Sequence, residues 1–160
     1  MATRVFVFDN DDSLRFAFKK YLEAVFDDED SIRTMLTKFL EKRGYEIMTF
    51  SYPTPCQTCR CQGGNACTDI VMTDIDMLGF TGLEFIENQK RIGCKAQSVA
   101  IMSGNWSVSQ LWLAQKLGCD VFHKPLITTE LNEWLDACEK NMNPNRALAS
   151  WYLDGADGQD

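Results

Sequence analysis

Four side chains in this 160-residue sequence are of types that can act together on a phosphoryl group. They are Asp9 in VFDNDD, Asp74 in IVMTDIDM, Ser103 in AIMSG and Lys124 in VFHKP, and each follows a short apolar run. A carboxylate oxygen can serve as the nucleophile. A hydroxyl and an ammonium can hold the oxygens of the group being transferred, and a divalent cation can neutralise their charge. Asp9, Asn10, Asp11 and Asp12 form an acidic cluster that suits Mg²⁺, which takes one or two carboxylates together with water and phosphate oxygens. Singly each residue is ordinary: acids at strand ends are commonly solvated, a serine is commonly a cap and a lysine usually lies at the surface. Their recurrence at successive strand ends carries the argument.

The elements that must position them follow from the apolar pattern. Arg4–Phe8, Tyr45–Phe50, Ile70–Thr73, Ser98–Met102 and Asp120–His123 have the composition of buried parallel strands. Between them, Leu83, Phe85, Ile86 and Ile92 recur at helical spacing, as do Val108, Leu111, Trp112, Gln115 and Leu117. Thr128–Lys140 is amphipathic, with Leu131, Trp134, Leu135 and Cys138 on one face, Thr128 or Thr129 placed to cap it and Pro125 just before it. Alternation of strands and helices predicts an α/β fold, a doubly wound parallel sheet with right-handed crossovers. In such sheets the working groups collect at the carboxyl ends of the strands.

Composition narrows the classes. A length of 160 residues suits one domain, and 45% apolar with 24% charged residues suits a globular α/β protein. A net charge of −7 argues against a broad nucleic-acid surface, which needs clustered Lys and Arg. No apolar run approaches the roughly 20 residues that span a bilayer, and MATRVFVFDNDD lacks a secretory core. The expectation is a cytoplasmic protein with neither nucleic-acid nor membrane partner, its cysteines reduced or metal-bound.

VFDNDDSLRFAFKKYLE (Val7–Glu23) recurs as VFDDEDSIRTMLTKFLE (Val25–Glu41), offset by 18 residues. Eighteen residues are five whole helical turns at 3.6 residues per turn, so Leu14, Phe18, Tyr21, Leu22 and Val25 would stay in phase with Ile32, Leu36, Phe39 and Leu40. Two readings stand. Either residues 10–27 loop out as an insertion, or one helix of about 30 residues runs on and needs a partner, as in a domain-swapped homodimer. Asp27-Asp28-Glu29-Asp30 resembles a helix start more than a helix middle.

The stretch DIVMTDIDMLGFTGLEFIE resembles the phospho-acceptor region of response-regulator receiver domains, whose pattern is D-x-x-M-P-G-x-x-G. IMSG and HKP resemble that family's fourth-strand Ser/Thr and fifth-strand Lys-Pro, and FDNDDSLR and FDDEDSIR both resemble its first acidic cluster. The resemblance covers residues 4–140. It implies a flavodoxin-like, five-stranded parallel sheet in the order 2-1-3-4-5, phosphorylation of Asp74 by a sensor histidine kinase with Mg²⁺, and sensing of the phosphoryl group by Ser103 and Lys124. Domain limits on this reading are 1–140 for the receiver and 141–160 for a tail, of which Trp151 and Tyr152 suggest that part docks. With no output or separate catalytic domain expected after residue 140, the chain would accept and autohydrolyse a phosphoryl group and signal to a downstream protein through contacts.

Several residues depart from the family pattern. Leu78 stands where the family has Pro, Gly104 stands where Ala usually follows Ser103, and Val121 occupies the place of a switch Tyr or Phe. RVFVF is the better first strand, because YLEAVF would bury Glu23, so Asp9 becomes the first cation ligand. Asn10 is then a weak second, and Asp28 could return to fill its place if the insertion loops out. The main-chain carbonyl of Asp76 is the family's further ligand.

Cys56, Cys59, Cys61 and Cys67 lie within twelve residues among Pro53, Pro55, Gly63 and Gly64. They make 52–68 a Cys-rich loop in place of the receiver's second helix. Four such thiolates suit tetrahedral Zn²⁺, the single-residue gap between Cys59 and Cys61 leaves an Fe–S cluster open, and free thiols or a disulfide are the plain reading. Cys94, Cys119 and Cys138 read as small core residues, and His123 as a packed strand-end residue. Trp106 and Trp112 flank a helix and could contribute to a partner face, with core packing the plainer role for Trp112. Two rival functions remain. One is a haloacid-dehalogenase-like phosphatase using Asp9 in DNDDSL, for which no later G-D-x-x-x-D motif is found. The other is a pseudo-receiver acting as a metal or redox interaction module without phosphorylation.

Overall fold

In a computed structural model of the chain the described residues are 3–8, 32–50, 65–77 and 80–149. They hold five parallel strands, β1 (Arg4–Phe8), β2 (Glu46–Phe50), β3 (Ile70–Asp74), β4 (Ser98–Ser103) and β5 (Asp120–His123), in the order β2-β1-β3-β4-β5. Four helices accompany them: α1 (Ile32–Glu41), α2 (Gly82–Arg91), α3 (Val108–Lys116) and α4 (Thr128–Lys140). A two-residue antiparallel ribbon, Asp76–Met77 with Phe80–Thr81, bridges β3 and α2. This is the doubly wound sheet expected from the alternation, in the order the family resemblance implied.

Side chains alternate across each strand, and the central strands feed two separate cores. Val5, Val7, Met72 and Met102 pack with Leu36 and Leu40 of α1 and Leu131 and Leu135 of α4 on one face. Phe6, Phe8, Val71 and Ile101 pack with Leu83, Phe85 and Ile86 of α2 on the other. Every residue of β3 is buried, as expected of a central strand covered on both faces. The strand therefore reads as an unbroken apolar run ending in a carboxylate.

The two copies of the repeat are used differently. The first contributes Val7 and Phe8 to β1, and the second contributes Ile32–Glu41 as α1. The intervening acidic residues, and with them the insertion 10–27 and the continuous-helix reading, lie outside the described residues. So do Cys56, Cys59, Cys61, Leu78 and the tail residues Trp151 and Tyr152. Among the described residues no helix lies between β2 and β3.

Several local expectations are corrected. Helix α3 does not bury Trp112: Val108 and Trp112 are 85% and 61% exposed, and Ala114 is the buried residue of the helix. Ala114 lacks bulk, so the helix seats close to the sheet along that line. Val108 and Trp112, four apart, then share the outer face, where the Lys116 ammonium sits 5.0 Å from the Trp112 ring centroid. Helix α4 starts at Thr128 with Ile127 at the cap position, so no side-chain cap forms. The buried Leu126 and the stripe of Leu131, Leu135 and Cys138 fix this helix instead. His123 is exposed, not packed. Cys119 and Cys138 are core residues as expected, and burial pushes the Cys119 thiol up to about 11. Cys94 is only half-buried.

The polypeptide after α4 runs back beneath the amino ends of the strands. Arg146 meets the buried Asp69 carboxylate through two nitrogens, at 2.5 and 2.9 Å, a bidentate geometry in which Arg is strong. Arg4 donates to the carbonyls of Cys67 and Ala149, and Ala149 N–H donates to Ala66. The segment up to residue 149 is thus tied to the sheet, at the end away from Asp74.

Candidate functional site

Three strand ends meet at the carboxyl edge. Asp74 closes β3 in register with Met102, so Ser103, the last residue of β4, lies one step beyond it. Ser103 is in turn in register with His123, and Lys124 follows. The strands run one residue further than their apolar runs suggested, because the ladder continues through Asp74 and Ser103 themselves. Backbone bonds lock the edges together: Ile75 N–H donates to Met102 O and Lys124 N–H donates to Ser103 O.

The Asp74 side chain is fully buried and the Lys124 side chain is 7% exposed, with Lys124 Nζ 2.6 Å from Asp74 Oδ1. The Asp76 N–H approaches the same oxygen at 3.4 Å. Asp74 Oδ2 is buried and accepts no hydrogen bond among the described residues. A buried anionic oxygen without a donor is costly, and a bound cation is one way to relieve it. The donor set therefore fits a divalent cation bound at the second oxygen. Ser103 is 2% exposed and its Oγ accepts the Asn105 N–H at 3.1 Å. Asp76 is exposed beside the site. Phe8, the last described residue of β1, is in register with Thr73; Asp9 and Asp28 lie outside the described residues. Of the proposed site residues, Asp74, Ser103, Lys124 and Asp76 are brought together.

Gly82, the final glycine of the phospho-acceptor pattern, was not singled out by chemistry, yet it shapes the site. A Cβ there would fall 2.3 Å from the Asp74 carbonyl oxygen, and Gly82 N–H donates to Ile75 O at 2.7 Å. Helix α2 begins at this contact, capped by a Thr81–Glu84 capping box. Gly82→Ala forces the helix off the Asp74 backbone and is expected to cost about 1–3 kcal/mol. Gly104→Ala, whose Cβ would meet Lys124 Cβ at 3.9 Å, is the matched control and should stay within about 0.5 kcal/mol. Urea denaturation of both variants checks the contrast; equal midpoints would rule out the crowding.

The fourth proposed zinc ligand, Cys67, is 5% exposed and packs in the core with Val71 and Ala149. Among the described residues no group of three or more His, Cys, Asp or Glu side chains is arranged to hold a metal, and no helix is long and apolar enough to cross a membrane.

The sequence model of the response regulator receiver domain matches residues 24–136, more than half of the chain, and the protein belongs to that family. The match begins one residue before the second copy of the repeat, although β1 lies in part in the first. A receiver domain is a signalling domain of two-component systems and not a separate catalytic domain. A search of curated proteins found no match. Among solved structures, a response regulator receiver protein from Pseudomonas putida is similar at 19% identity and TM-score 0.63, over 86% of this chain and 98% of that one. A two-component response regulator from Clostridium difficile is 17% identical with TM-score 0.62, over 88% and 98%. The Vibrio cholerae chemotaxis protein CheY4 is 18% identical with TM-score 0.61, over 86% and 99%. At these identities the likeness shows the fold.

Proposed function

We propose that this receiver domain accepts a phosphoryl group on Asp74 from a histidine kinase or phosphotransfer partner and signals through protein contacts. One observation carries the reading: Asp74 is fully buried, with Oδ1 held by Lys124 and Oδ2 without a donor among the described residues. In the transfer, a carboxylate oxygen of Asp74 attacks phosphorus in line. A P–O bond forms as the bond to the donor's histidine nitrogen breaks, and the electron pair of that bond leaves with the nitrogen. Lys124 neutralises the carboxylate and faces the developing negative charge, while the Ser103 hydroxyl donates to a phosphoryl oxygen. Mg²⁺, when bound, supplies charge neutralisation, with Asp74, Asp9, Asp28 and the Asp76 carbonyl as its holders. Return of the phosphoryl group to water gives the domain its own off-switch.

On this reading the protein works in the cytoplasm, with no nucleic-acid or membrane partner, and the homodimer reading rests on the repeated segment. Of the four cysteines Cys56, Cys59, Cys61 and Cys67, only the buried Cys67 lies among the described residues.

Incubation with acetyl phosphate and Mg²⁺ tests the acceptor. The intact mass should rise by one phosphoryl group, and reductive trapping of the acyl phosphate should map it to Asp74. No uptake favours a pseudo-receiver, and label on Asp9 favours the phosphatase-like alternative.

A further inference from the structure

Resting on the phosphoryl-acceptor reading of Asp74, we propose that Trp106 is a latch whose indole leaves its seat on β5 when the acceptor site is filled. Three observations converge on it. First, the Trp106 indole N–H donates to the main-chain carbonyl of Phe122 at 3.0 Å. That carbonyl lies two residues before Lys124, whose ammonium holds Asp74. Second, the neighbouring Asn105 N–H is bonded to Ser103 Oγ at 3.1 Å, so the loop that carries the indole is tied to the hydroxyl facing the site. Third, Trp106 and Val121 pack against the same apolar cluster, which holds Phe8, Ile101 and Ala114.

The loop is built to move as a unit. Its ends are fixed by the Ser103 carbonyl, which accepts the Lys124 N–H, and by Ser107, which caps α3. Gly104 between them is exposed, and only Lys124 Cβ lies near its missing side chain, at 3.9 Å. A phosphoryl oxygen that recruits the Ser103 hydroxyl pulls Oγ away from its position over the Asn105 amide. If the bond breaks the Asn105 amide loses its partner, and if it holds the amide is drawn along; either way the tie on the peptide before Trp106 changes. The indole is held by one half-exposed hydrogen bond, a contact weak enough to be exchanged. Helix α3 starts two residues later, and its exposed Val108 and Trp112 form the surface that the displaced loop alters. In this chain the aromatic readout sits on the loop after β4, not on β5.

The test uses the full chain with Mg²⁺ and beryllofluoride, and reads the tryptophan indole N–H signals by NMR, assigned with single Trp→Phe variants. Fluorine NMR reports beryllofluoride bound at the site independently. With the site filled, the Trp106 signal should shift and its solvent exchange should quicken about tenfold, while the Trp134 signal stays in place. Trp106→Phe keeps a ring but removes the donor that favours the empty state. It should therefore bind beryllofluoride about three to ten times more tightly, where a merely structural residue would weaken binding on loss. Bound beryllofluoride with an unmoved Trp106 signal, or weaker binding by a folded Trp106→Phe, overturns the latch and leaves the acceptor reading standing. No binding of beryllofluoride and no uptake from acetyl phosphate overturns both.

Discussion

Asp74→Asn should abolish phosphoryl uptake while leaving the domain folded. An amide oxygen has neither the charge nor the nucleophilicity to form an acyl phosphate, so the expected loss is complete and not partial. The fold is spared for a structural reason. Asn keeps an acceptor for the Lys124 ammonium and removes a charged oxygen that is buried without a donor among the described residues. What it loses is the charge of the partner, and Lys124, with its long stem, can turn its ammonium toward water. The two effects oppose each other, and the stability change should stay within about 1 kcal/mol. Intact-mass measurement after acetyl phosphate, beside a thermal melt, checks both halves. Uptake by the folded variant would remove Asp74 from the mechanism.

Lys124→Met should give the reverse pattern. Methionine fits the stem of the lysine but leaves the Asp74 carboxylate, at 0% exposure, without its cation in a place from which a short side chain cannot reach water. Breaking a buried ion pair from one side costs about 3–5 kcal/mol, against total stabilities of about 5–15 kcal/mol for a domain. The double variant Asp74→Asn with Lys124→Met removes both charges and should recover most of that loss, since a neutral pair pays no penalty for an uncompensated ion. Urea denaturation in metal-free buffer measures all three. If the single Lys124 variant is as stable as the parent chain, the carboxylate is not held by Lys124 in the way the 2.6 Å contact indicates.

The asymmetry between these variants separates two roles of one contact. Lys124 makes a buried carboxylate tolerable, and on the proposed function it also faces the charge that phosphorylation would add. A residue serving only the first role could be replaced together with its partner at no cost to function. One serving the second could not.

Much of this site was readable from the amino-acid sequence. Asp74, Ser103 and Lys124 each follow an apolar run, and parallel strands buried on both faces must be continuous apolar runs whose first polar residues emerge at the carboxyl edge. The strand limits and the helix from Thr128 to Lys140 follow from the same periodicity. Gly82 was visible only as a letter in a family pattern, because the need for a missing Cβ arises from a carbonyl eight residues earlier in the chain. Trp112 was misplaced because helical spacing identifies a stripe but not its direction. Ala114, too small to mark a face by hydrophobicity, decided which side meets the sheet.

The sequence by itself determined the class of fold and singled out Asp74 as the proposed acceptor, since both depend on local pattern: which residues are apolar, and what stands at the end of each run. Only the tertiary structure decided how the acceptor is held. The pairing of Asp74 Oδ1 with a lysine 50 residues away and the indole of Trp106 seated on the Phe122 carbonyl are contacts between separate elements. Their distances are set by sheet register and helix packing, and no spacing along the chain encodes them.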